Sequence, residues 1–169
     1  MRFLILFIFL ITNALANDFP DIKNIVIHKD LKTYNNVIFL DKKDQKINIK
    51  DFNGNLIILN FWATWCEPCR DEMPSLDRLQ ANSKINNLKI FAINIGQENF
   101  TEVNDFFEDL NIKNFEPFFD GPSTLAKIFS LRGVPTSILL NNNGEEFARI
   151  IGSINFDDKK FIDWLKTYN

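Results

Sequence analysis

The sequence predicts an α/β protein with a central mixed β-sheet flanked by helices and an N-terminal β-hairpin extension. Three observations predict it. First, the short apolar run at residues 56–62 is followed by a helical pattern and a second apolar run at 88–95. That is the strand–helix–strand order of a parallel pair. Second, two later strand-like segments flank Asn141-Asn142-Asn143-Gly144, a hairpin signal because Asn and Gly tolerate positive φ. Third, a helical pattern at 157–168 closes the chain. A parallel pair extended by an antiparallel hairpin makes a mixed sheet, covered by helices on both faces.

In chain order, the elements begin with a leader. Arg2 is followed by nine unbroken apolar residues, Phe3 to Ile11, and then by Ala14-Leu15-Ala16, a small-x-small cleavage pattern. This is the anatomy of a secretory signal peptide, expected to be cut after Ala16. The run is too short for an uncleaved anchor, since a membrane span takes about 20 apolar residues. Residues 17–169 then form one domain of 153 residues, with 17–55 as its N-terminal extension. Losing Arg2 leaves 18 basic against 22 acidic residues, a balance that argues against a nucleic-acid or anionic-membrane binder.

Residues 17–35 carry no clear period. Residues 36–41 and 46–50 alternate apolar and polar around Lys42-Lys43-Asp44-Gln45, which reads as a hairpin. Gly54 marks a turn. The 56–62 run is polar only at Asn60, so a buried central strand is expected. A helix follows from Pro68, which suits a first turn, to about Ala81, and Pro74 should kink it. After the 88–95 strand comes a helix with Val103, Phe106, Phe107 and Leu110 on one face and Thr101 as its expected cap. A short helix at 123–131 has Ser123 as cap candidate. Strands at 136–141 and 146–152 precede the final helix, whose inward residues should be Phe161, Ile162, Trp164 and Leu165.

This layout puts Cys66-Glu67-Pro68-Cys69, the two cysteines of the chain, where a central strand ends and a helix begins. In open α/β sheets, sites form at that edge. A structural disulfide here would close a tiny loop and add little stability. Zinc needs four ligands, or three and water, and the chain offers two Cys and the distant His28, which reads as a surface or paired residue. A copper-binding metallochaperone is a further reading, because thiolates bind Cu(I). It lacks an evident third ligand, since Met73 reads as helix packing. The remaining reading is a dithiol–disulfide catalyst. A helix N-terminus stabilises the thiolate of Cys66, expected to lie uncovered, while Cys69 sits one turn in and better covered. Pro68 keeps the turn short. Glu67 places a negative charge beside the thiols and should make the pair more reducing.

The stretch LNFWATWCEPCRDEMPSLDRLQ resembles the active-site segment of periplasmic thioredoxin-like proteins of the TlpA/ResA/CcmG type, leaning towards TlpA. RGVPTSILLNNNGE resembles their later loop, and INIKDFNGNLIILNFW their lead-in. The resemblance implies a thioredoxin fold and an exported, periplasmic thiol:disulfide oxidoreductase that reduces client proteins. Cys66 would be the nucleophile, Cys69 the resolving thiol and Pro135 a cis-proline beside them. Val134 would pair with an extended client segment. Trp65 would contact clients, while Trp62 belongs to the core. Glu72, three residues after Cys69 on the same helical face, would be the acid–base group, against the plainer reading of a first-turn acid. Asn60 stands where cytoplasmic thioredoxins bury an Asp, and it cannot ionise. The implied clients are apocytochrome c or copper-delivery and oxidase proteins, the implied electron donor is a membrane thiol carrier, and no metal or organic cofactor is required. A monomer is expected. The opposite poise, a general disulfide oxidant, is the alternative direction.

Overall fold

The computed structural model describes residues 22–121 and 124–168. The leader at 1–16 and Ser123 lie outside the described residues. Among the described residues eight strands form one sheet: β1 (Ile25–Lys32), β2 (Ile38–Leu40), β3 (Lys46–Asn48), β4 (Leu56–Trp62), β5 (Leu88–Asn94), β6 (Pro117–Phe119), β7 (Thr136–Leu140) and β8 (Glu146–Ile151). Their spatial order is β1-β8-β7-β4-β5-β6-β2-β3. β4, β5 and β6 run parallel, and β7, β8 and β1 extend the sheet antiparallel beyond β4.

All seven residues of β4 are buried, because both faces of this central strand are covered. Leu56, Ile58 and Trp62 face a core built with α1 (Glu67–Gln80), α2 (Phe100–Asp109) and α4 (Lys159–Leu165). Ile57, Leu59 and Phe61 face the other way. There they meet the β2–β3 hairpin, a 3₁₀ turn (Ile49–Phe52) and the short α3 (Leu125–Ile128). Burying each such aliphatic side chain stabilises by about 1.5–3 kcal/mol, so a polar residue in β4 needs a reason.

Residues 17–35, unplaced by period, contain β1. It pairs with β8 at one edge of the sheet, whereas the β2–β3 hairpin joins at the opposite edge. The chain crosses the sheet face between them, with Tyr34 packed against Phe129 in a tilted pair, ring centroids 4.5 Å apart. Buried Glu146 fastens β1 from below: His28 Nε2 lies 2.6 Å from it, Tyr34 donates its hydroxyl, and Arg149 donates from Nε and Nη2 at 2.6 and 2.9 Å. Thus His28 is a paired residue.

Several element ends differ from expectation. The cap of α2 is Asn99, not Thr101. Asn99 Oδ1 accepts from Glu102 N–H, and Glu102 Oε2 accepts from Asn99 N–H, a reciprocal capping box that a Thr101 start could not make. The start of α3 is held from a distance by Asp120, whose carboxylate accepts from the N–H groups of Thr124 and Leu125. α4 begins after the cap Asp158 and ends in a 3₁₀ turn (Lys166–Tyr168). Phe161, Ile162, Trp164 and Leu165 point inward as expected. The Asn-rich hairpin turns at Gly144, φ +77°.

Candidate active site

Cys66 and Cys69 are joined by a disulfide, Sγ–Sγ 2.08 Å. Cys66 is the N-cap of α1, with extended backbone, and its sulfur accepts from Cys69 N–H at 3.2 Å. Pro68 occupies the first turn, where its missing N–H costs nothing. Glu67 and Pro68 are exposed. Cys66 is less uncovered than expected: in the disulfide it is 4% exposed and Cys69 is wholly buried. The bond to a buried partner draws the first sulfur onto the helix, among core residues that include Trp62, Ala63 and Met73. Trp65, the adjoining side chain, is 70% exposed, whereas Trp62 is buried against Phe106 at 4.6 Å. The Val134–Pro135 bond is cis. It immediately precedes β7, the neighbour of β4, with Val134 half-buried and packed against both cores.

Glu72 is not an exposed first-turn acid. It is 2% exposed on the inner face of α1. Asn60 Nδ2 donates to its Oε1 at 2.7 Å, and Ile154 N–H to its Oε2 at 3.4 Å. Burial pushes its carboxyl from the ordinary 4.5 up to about 8, although both hydrogen bonds favour the charged form. A carboxyl tuned near neutrality one helical turn beyond a disulfide can both hold and release a proton under ordinary conditions.

Sequence reasoning missed two participants. Ser137 Oγ accepts from Asn60 Nδ2 at 2.9 Å, and its position in an apolar strand gave no polar signal. Glu98, in the loop after β5, accepts from Thr64 through both N–H (2.8 Å) and O–H (2.6 Å). This braces the turn leading into Cys66. Burial pushes the Glu98 carboxyl up, but hydrogen bonds, those from Thr64 and from its own backbone N–H among them, outweigh it and hold its pKa below the usual range. Among the described residues, no three His, Cys, Asp or Glu side chains gather as a metal-binding cluster.

The fold and the helix-capping disulfide define a thioredoxin-fold protein with a Cys-X-X-Cys site. Solved structures share that fold. StoA of Bacillus subtilis superposes with a TM-score of 0.63 at 29% identity, over 78% of this chain and 98% of that one. A thioredoxin-family thiol:disulfide interchange protein of Chlorobium tepidum superposes with a TM-score of 0.66 at 21% identity, over 82% and 99%. The Redoxin family matches residues 15–161, and the chain belongs to that family. Among curated relatives, the thiol-disulfide oxidoreductase ResA of Bacillus cereus is 32% identical over 117 residues, 69% of this chain. The ResA of Bacillus subtilis is 28% identical over 119 residues. The chain spans 66% and 65% of the lengths of these two relatives.

Proposed function

We propose that this protein is an exported thiol:disulfide oxidoreductase that reduces disulfides in client proteins. The observation that carries the reading is the disulfide itself, with Cys66 at the cap of α1 and Cys69 behind it. In the reduced protein the helix N-terminus favours a Cys66 thiolate. That thiolate attacks one client sulfur, a Cys66–client disulfide forms, and the other client sulfur leaves as a thiolate. Cys69 then gives up its proton and attacks Cys66. The Cys66–Cys69 disulfide forms and the second client sulfur is released. Two electrons pass from the protein dithiol to the client, and the structure corresponds to the spent, oxidised state. Glu72, in its ionised form, takes the Cys69 proton. Trp65 meets the client surface, and Val134 and Pro135 present backbone to an extended client strand.

The thiol-disulfide oxidoreductase names of the curated relatives support the dithiol–disulfide chemistry, the acidic Glu67 between the thiols supports the reducing direction, and the buried acid supports a proton-coupled resolving step. The resemblance to the TlpA/ResA/CcmG group points to clients of respiratory-chain maturation, apocytochrome c or copper-delivery and oxidase proteins. It also points to a membrane thiol carrier as electron donor and to the periplasm as the compartment.

Trapping tests the reading. Cys69→Ser, kept reduced by its donor, should accumulate mixed disulfides through Cys66 that mass spectrometry identifies. A variant that captures no client, or a reduction potential of the wild type near −120 mV, the most oxidising range, would overturn it.

A further inference from the structure

We infer that Asn60 and Ser137 are positioning residues for Glu72. The amide, held by the serine hydroxyl, fixes Oε1 as the hydrogen-bonded oxygen and leaves Oε2 to carry the exchangeable proton. The inference rests on the proposed acid–base role of Glu72.

Asn60 on β4 and Ser137 on β7 are register partners in an antiparallel pair, so their side chains share the face that carries α1. Both are buried, at 0% and 2% exposed. The two hydrogens of Asn60 Nδ2 are both committed, one to Glu72 Oε1 at 2.7 Å and one to Ser137 Oγ at 2.9 Å. Turning the amide over would set its oxygen against Glu72 Oε1, itself an acceptor, and forfeit the 2.7 Å donation to Glu72. Among the described residues Asn60 Oδ1 is buried with no partner, so the amide spends its hydrogen bonds on its donor side.

The two carboxyl oxygens are therefore unequal. Oε1 receives a short bond from a fixed donor, and Oε2 receives the long 3.4 Å bond from Ile154 N–H. A proton settles on the less solvated oxygen. Ser137 matters because its oxygen is the acceptor for the second amide hydrogen. Without its hydroxyl, one amide hydrogen loses its acceptor and the donation to Glu72 weakens. The groups acting on Glu72 are Asn60 from β4 and the Ile154 backbone beyond β8, with Cys66 and Cys69 as titrating thiols on its own helix once reduced.

The test is a carbon-13 carboxyl titration of Glu72 in the full chain, beside the pH profile for reduction of a protein disulfide. Ser137→Ala should raise the Glu72 midpoint by about 0.5–1 pH unit, a three- to tenfold rise in proton affinity. Ser137→Thr, which restores a hydroxyl, should return it. In the wild type, the Asn60 side-chain amide resonances should titrate with the Glu72 midpoint, an arm that needs no variant. Unmoved midpoints in Ser137→Ala together with pH-invariant Asn60 amide resonances would overturn the inference. Glu72→Gln separates the levels. If it flattens the pH profile while those other results are negative, the positioning role falls alone. If it leaves the profile intact, the acid–base reading falls with it.

Discussion

At the scale of single residues, Glu72 links stability to acidity. The folded chain keeps this carboxyl protonated up to about 8, while an unfolded chain releases the proton near the ordinary 4.5. Between those values the folded state binds more protons, so stability falls as pH rises through the window and levels off above about 8. The difference is on the order of a few kcal/mol. Urea midpoints measured from pH 4.5 to 8.5 should drop steadily for the wild type, and Glu72→Gln should remove most of that slope. Trp65 belongs to the opposite case. At 70% exposed it contributes little to folding. Trp65→Ala should change stability by less than about 0.5 kcal/mol while slowing reduction of protein disulfides several-fold. The reaction with a small disulfide, which needs no docking surface, should be retained.

Elements show where local pattern sufficed and where distance decided. The α2 capping box rests on Asn99 and Glu102. Asn99→Ala should cost about 1 kcal/mol, read as a fall in the denaturation midpoint with the reaction of Cys66 unchanged. The sequence points to a cap in this stretch but favours Thr101, since Thr and Asn both cap and only the loop geometry chooses. The β2–β3 hairpin, β4, α1 and the β7–β8 hairpin were legible because each declares itself within a few residues: alternation, an apolar run, a first-turn proline, an Asn-Gly turn. β1 and the three-residue β6 were not. β1 is an edge strand whose pattern is half exposed, and its partner lies more than a hundred residues away. The cysteine pair was legible from spacing, and Glu72 only through the family resemblance, with helical spacing placing it on the face of Cys69. Its burial was not, because that depends on Asn60 across the sheet interface and on the loop bearing Ile154. Ser137 carried no signal at all until the β4–β7 register placed it beside Asn60.

Over the whole molecule, the polar knot around Glu146 decides how the sheet is completed. Burial pushes this carboxyl up, and the bonds from Arg149, Tyr34 and His28 more than offset that and hold its pKa below the usual range. Removing the carboxylate would strand Arg149 in a nearly closed site with no counter-charge. Glu146→Ala should therefore destabilise by about 3–5 kcal/mol, measured by urea unfolding, and loosen β1 first, which amide hydrogen exchange would register strand by strand. The site lies at the other end of the sheet, so thiol chemistry in the variant that remains folded should persist.

That placement of β1 has a consequence for assembly. The strand can dock only after β8 exists, and closing so long a loop is entropically late. The segment that carries the cysteines, β4 through β5, is local in sequence and does not include it. In that sense the first strand behaves as a ligand tethered by a five-residue leash.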